Sequence, residues 1–237
     1  MKIKRLAIYT LVFILLSSCS YLPDEQIISD VLGVYETRDY IHITPNSGDF
    51  SRTGFVFYPG GLVDPHAYLE PLSRFAVSGI GHKVVIVKMP GNLALFDKNQ
   101  GAYLYEDFPD VSKWVIGGHS LGGVMACEAV NKYPDHFFGL VLMAAYPQEK
   151  TDLSEWEGKV LSIIGDSDMI LEQGIVEARM PNLPDSTIYH TIVGGNHSYF
   201  GHYGLQEGDG QGTISRAEQT KQMVKEMQKL FDENGWD

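Results

Sequence analysis

Apolar residues in this chain gather in short unbroken runs, and the segments between several of those runs repeat them at helical spacing. "TGFVFYPGG", "HKVVIVKMP", "KWVIGG", "FFGLVLMAA" and "GKVLSIIG" are such runs. Their length, and their β-branched and aromatic content, predict strands buried on both faces. Upstream, "VLGVYET" and "DYIHITP" predict two strands closed by a turn, and "STIYHTIV" predicts a last strand. Between the first two runs, Asp64-Pro65 reads as a helix start, and Ala67, Tyr68, Leu72, Phe75 and Ala76 share one helical face. Pro71 interrupts that face, so the helix is expected to restart there, and Gly79 ends it. A second helix is predicted from Leu121 to Lys132, closed before Pro134. The last helix is the best marked. Ser215 and Glu218 have capping-box spacing, and Met223, Val224, Met227, Leu230 and Phe231 follow on one face. Buried strands alternating with helices imply an α/β fold, a mainly parallel sheet with helices on both faces. In such sheets chemistry collects at the carboxyl ends of the strands.

One such end carries "WVIGGHSLGGVMA", in which Gly118-His119-Ser120-Leu121-Gly122 matches G-x-S-x-G. The bare pattern is weak, arising by chance in roughly one chain in ten. Its setting is more specific, because Ser120 stands between a predicted strand and a predicted helix. A turn that tight leaves no room for side chains beside the serine, and Gly118, Gly122 and Gly123 relieve the crowding. The turn would lift the hydroxyl into the open and aim the Leu121 amide at the same space.

Composition narrows the partners. The net charge of −12 argues against nucleic acid or anionic lipid as the main partner. Lys2, Lys4 and Arg5 are the only charges ahead of residue 20, and an apolar stretch over 6–16 follows them. As a helix that stretch reaches only about 17 Å, short of the ~20 residues that span a bilayer. It ends in Leu16-Ser17-Ser18-Cys19, which resembles the lipobox of bacterial lipoproteins. That resemblance implies a signal peptide over 1–18, lipidation of Cys19, a polar tether over 19–30, a domain over 31–237 and an exported, membrane-anchored protein. Cys127, the other cysteine, falls on the inner face of the Leu121 helix and reads as a small buried apolar residue. No disulfide is expected, and nothing has the spacing of a zinc site.

With that turn in place, the chain resembles the α/β-hydrolases over roughly residues 50–231. "YPGGLVDPHAY", "KMPGNLALF" and "GGNHSYFGHYGLQEGDG" are similar to a small bacterial subgroup of that family. The resemblance implies Ser120 as nucleophile and the Leu121 amide as one oxyanion donor. A second donor would come from the loop after the third strand, from Gly61 or Leu62. Pro59 stands where many esterases carry histidine. The acid follows a later strand, where the Gly-x-x-Asp of "IIGDSD" points to Asp168, with Asp166 as rival. The histidine comes last, at His197 after Gly194-Gly195, with His202 as rival. The order serine, aspartate, histidine is that of this fold. No cofactor or metal is implied. "QEGDGQGTIS" has poor spacing for calcium and reads as a loop, and His119 reads as a packing or hydrogen-bonding residue.

Larger relatives insert a cap between the strands that here end near Ala145 and begin at Lys159, and this chain has too short a stretch for one. The implied activity is hydrolysis of a small acyl ester at an open site. Acyl transfer or peptide hydrolysis on the same fold is the alternative within enzymes. A non-catalytic surface lipoprotein using the scaffold for binding is the alternative outside them, and it predicts a broken triad. Oligomeric state has no signature here.

Overall fold

The computed structural model describes residues 20–46 and 50–236, the side chains of 103–105 excepted. Cys19 and the leader over 1–18 lie outside the described residues. Eight strands form one sheet: β1 (Leu32–Glu36), β2 (Tyr40–Pro45), β3 (Thr53–Tyr58), β4 (Val84–Val87), β5 (Lys113–His119), β6 (Gly139–Met143), β7 (Lys159–Gly165) and β8 (Ile188–Ile192), in the order β1-β2-β4-β3-β5-β6-β7-β8. The β1–β2 and β2–β4 pairs are antiparallel and all others parallel. This is the α/β-hydrolase arrangement, and every strand read from the sequence is present.

The unbroken apolar runs have a simple cause. On β3, Phe55 and Phe57 face one layer and Val56 and Tyr58 the other, so both sets need apolar side chains. The first layer holds α1 (Leu69–Ala76) and α4 (Arg216–Glu233), and the second holds α2 (Leu121–Lys132). Cys127 lies in the second layer, fully buried. On α4, Met223, Met227, Leu230 and Phe231 are buried, and Ser215 Oγ accepts from the Glu218 amide at 3.2 Å. Each buried side chain is worth about 2 kcal/mol against about 1 for the cap. Packing therefore holds α4, and Ser215 sets where it begins.

The chain after Asp64 starts as a 3₁₀ turn over Pro65–Tyr68, and α1 then begins at Leu69. Pro71 thus sits in the first turn of α1, where its missing N–H has no acceptor to lose. A short helix, α3 (Gln173–Arg179), was not anticipated: only Val176 on it is buried, so it carries no apolar stripe. No large cap is present among the described residues. Residues 90–106 fold as 3₁₀ turns, tied to β3 by the Tyr58 hydroxyl, which donates to the Lys98 carbonyl and accepts from the Gly101 amide. Between β6 and β7, Thr151 bonds Glu128 of α2, and the Leu153 amide donates to the Asn182 carbonyl.

The described part of the segment read as a tether lies against the domain. Tyr21 forms a parallel bridge with Val63, its amide donating to the Leu62 carbonyl and its carbonyl accepting from the Asp64 amide. The Asp24 amide donates to the His202 carbonyl, and Gln26 bonds the His66 carbonyl and the Glu70 amide. Polar composition suggested a free segment. Backbone pairing, which composition does not encode, holds it on the domain.

Candidate active site

Ser120 is the single residue between β5 and α2, with φ 52° and ψ −125°. A non-glycine residue there costs on the order of 1–3 kcal/mol and persists only when its surroundings leave no alternative. Here the surroundings do. A Cβ at Gly118 would lie 2.5 Å from the Gly122 carbonyl carbon, and one at Gly122 would lie 2.1 Å from the Tyr58 carbonyl oxygen. Helix and strand touch backbone to backbone, and the turn between them has one geometry. The Ser120 amide donates to Met143 of β6 at 2.9 Å, and the Leu121 amide opens the first turn of α2, where no intrahelical acceptor exists.

Opposite lies the loop after β3. Its Gly60 amide donates to the Tyr68 hydroxyl at 3.0 Å, and its Leu62 amide donates to the Asn92 carbonyl at 2.8 Å. Leu62, one of two candidates for the second oxyanion donor, is thereby excluded. Its left-handed backbone (φ 60°) turns its amide away toward the loop after β4. The Gly61 amide has no acceptor among the described residues, and Gly61 packs on Leu121, whose Cδ2 would be 3.1 Å from a Cβ at position 61.

Asp168 and His197 meet at the ends of β7 and β8. Asp168 Oδ2 lies 2.9 Å from His197 Nδ1, with side chains only 2% and 1% exposed. The other oxygen, Oδ1, accepts from the amides of Ile170 at 2.9 Å and Leu171 at 2.8 Å. A carboxylate accepts only, so Nδ1 carries the proton and Nε2 its lone pair. That Nε2 is buried without a hydrogen-bond partner among the described residues. Ser120 and His197 line one cavity of about 230 Å³ together with Leu121, Val124, Ala144, Ala145, Ile170 and Leu171, and no hydrogen bond joins the two among the described residues. The rivals lie elsewhere. Asp166 Oδ1 accepts from the Gly194 amide at 2.7 Å and the Ser167 hydroxyl at 3.2 Å, and His202 Nε2 faces Glu70 at 3.4 Å.

The model of the alpha/beta hydrolase family matches residues 54–221, more than half of the chain. The chain belongs to that family. Solved structures share the fold at low identity. An esterase from Mycobacterium tuberculosis is 10% identical, with 88% of this chain and 92% of that one covered and a TM-score of 0.59. A monoacylglycerol lipase from Paleococcus ferrophilus is 13% identical, with coverage of 81% and 97% and a TM-score of 0.59. A thermostable esterase from Pseudomonas putida is 15% identical, with coverage of 74% and 77% and a TM-score of 0.57. No curated protein matches the chain in sequence.

Around this candidate site stand supports that sequence reading passed over. Asp209, in the loop read as plain, accepts from the Ser198 amide at 2.8 Å and the Ser198 hydroxyl at 2.6 Å, beside the His197 amide at 3.4 Å. Gln219 clamps Asn196, accepting from its amide at 3.0 Å and donating to its carbonyl at 2.8 Å. A glutamine in the apolar stripe of α4 was the available signal for that clamp. His119 is fully buried, its ring centroid 4.6 Å from that of His197 and its Nδ1 2.8 Å from the Tyr68 hydroxyl. Burial, and then the neighbouring His197, hold the His119 pKa well below its ordinary value. Burial also raises the Tyr68 phenol far above its own. Tyr68 therefore keeps its proton and donates it to His119 while accepting from Gly60, which links the loop after β3 to β5.

Proposed function

We propose that this protein is a serine hydrolase of small carboxylic esters. The observation that carries the reading is the buried Asp168–His197 pair, whose unpartnered Nε2 shares a cavity with the strained Ser120. In this mechanism Nε2 takes the Ser120 proton as Oγ attacks the ester carbon. The oxyanion forms against the amides of Leu121 and Gly61, each such donor typically worth ~3 kcal/mol. His197 then gives its proton to the leaving alcohol, and the ester C–O bond breaks. Water, deprotonated by the same Nε2, releases the acid and returns the proton to Ser120. Asp168 holds the tautomer and stabilises the imidazolium, staying ionised throughout.

The cavity supports a small substrate. At about 230 Å³ it falls below the ~300–1,000 Å³ of pockets that enclose drug-sized ligands, and Tyr146 and Glu172 join its aliphatic walls. Acetyl and butyryl aryl esters should be hydrolysed faster than palmitoyl esters, without activation at a lipid–water interface. A panel of p-nitrophenyl esters measures this. Preference for palmitate would refute the small-site reading, and no turnover of any ester would refute the function.

The second part of the proposal concerns the cell envelope. The basic start, the short apolar stretch and Leu16-Ser17-Ser18-Cys19 support an exported lipoprotein anchored through Cys19. Wild-type protein should partition with membranes into detergent, and Cys19→Ser should leave it unprocessed or released. Wild-type protein recovered soluble and cleaved at another position would sink the anchor.

A further inference from the structure

We infer that the segment from Tyr21 to Gln26 is a positioning strap that holds the two loops carrying the oxyanion amide and the catalytic histidine in register. The inference rests on the hydrolase reading above and deepens it. The strap crosses both loops. At one end Tyr21 pairs with the backbone on either side of Val63, donating to the Leu62 carbonyl at 2.8 Å and accepting from the Asp64 amide at 2.9 Å. Those bonds, with the Leu62 amide on Asn92, leave the turn from Gly60 to Val63 no freedom to rotate, and the Gly61 amide stays turned out of the loop's own bonding. Three residues on, Asp24 holds the histidine loop. Its amide donates to the His202 carbonyl at 2.7 Å, and its Oδ2 accepts from the Gly204 amide at 3.0 Å and from Arg216 at 2.9 Å. Between these two anchorages the Tyr21 ring packs on Tyr203, centroids 5.5 Å apart.

The two loops follow β3 and β8, which lie far apart in the sheet order, so no strand pairing sets the distance between them, and apart from the strap the His202 amide joins them directly, donating to the Ala67 carbonyl at 2.7 Å. Their separation decides whether Gly61 and His197 meet the same tetrahedral carbon. The strap spans that separation through backbone bonds at one end and the amide and carboxylate of Asp24 at the other. Tyr21 and Asp24 act through the loops and touch no substrate, so they are positioning residues.

The test uses the full-length protein, with active sites counted by fluorophosphonate titration. Asp24→Ala and Tyr21→Pro, the latter lacking the amide hydrogen, should each lower kcat about tenfold while KM on p-nitrophenyl butyrate stays within about twofold. Asp24→Asn should recover most of the loss, because a carboxamide oxygen still accepts from Gly204 and Arg216. Hydrogen exchange should quicken in peptides covering 60–64 and 197–204 in the two damaging variants, with β5 and β6 unchanged. Either variant retaining wild-type kcat, or exchange in both loops staying slow, overturns the strap. A wild type that hydrolyses no ester would instead defeat the hydrolase reading, and exchange alone would then show whether the segment holds the loops.

Discussion

Ser120→Ala should lower kcat/KM for p-nitrophenyl butyrate by roughly 10⁴- to 10⁶-fold, and His197→Ala by a similar factor. Alanine keeps the Cβ that already fits at φ 52°, so the turn between β5 and α2 has no reason to reopen. Thermal unfolding midpoints should stay close to wild type. Nucleophile and base act as one unit: without Nε2 the hydroxyl keeps its proton, and without the hydroxyl Nε2 has nothing to deprotonate. The double variant should therefore be scarcely worse than either single one. A fluorophosphonate should label Ser120 and no other serine, and the label should disappear in both single variants. Activity surviving in Ser120→Ala would leave "GGHSLGG" as a tight turn without chemistry.

Asp168→Asn should cost about 10⁴-fold in kcat, for a reason that lies in its hydrogen bonds. The Oδ1 position accepts from the amides of Ile170 and Leu171, so in the variant the carboxamide oxygen must stay there. Its NH₂ then faces His197 Nδ1, which is forced to accept. The imidazole proton moves to Nε2, and the base can no longer take a proton from Ser120. Asp166→Asn should change kcat only a few-fold, because its bonds run to the Gly194 amide and the Ser167 hydroxyl and an amide oxygen still accepts them. Steady-state kinetics on both variants distinguish the two carboxylates. A greater loss in Asp166→Asn would move the acid by two positions.

The sheet and the strand–serine–helix turn at Ser120 were legible in the residues because each rests on local chemistry, whereas Asp168 and His197 were read from the family resemblance. Strands covered on both faces must be apolar throughout, which marks β3 to β7 in the residues themselves. A helix packed backbone to backbone on a strand admits only glycine at 118 and 122, and that requirement is written in the spacing. Loops after strands stand at the same end of a parallel sheet, so candidates for one site share an address before any distance is known.

What the chain alone left open depends on backbone groups that meet across long sequence separations. Gly61 and Leu62 are equal candidates on paper, and the Asn92 carbonyl excludes Leu62. Asp209 and Gln219 brace the histidine loop from 12 and 23 residues away from their partners. The segment at Tyr21–Gln26 looks like any polar linker, because an amide paired with a distant carbonyl has the same sequence as one paired with water. Side-chain patterning therefore determined the fold and the candidate chemistry. The tertiary structure decided which amides remain unpaired and which loops are held together, since every residue except proline carries the same donor and only folding chooses its acceptor.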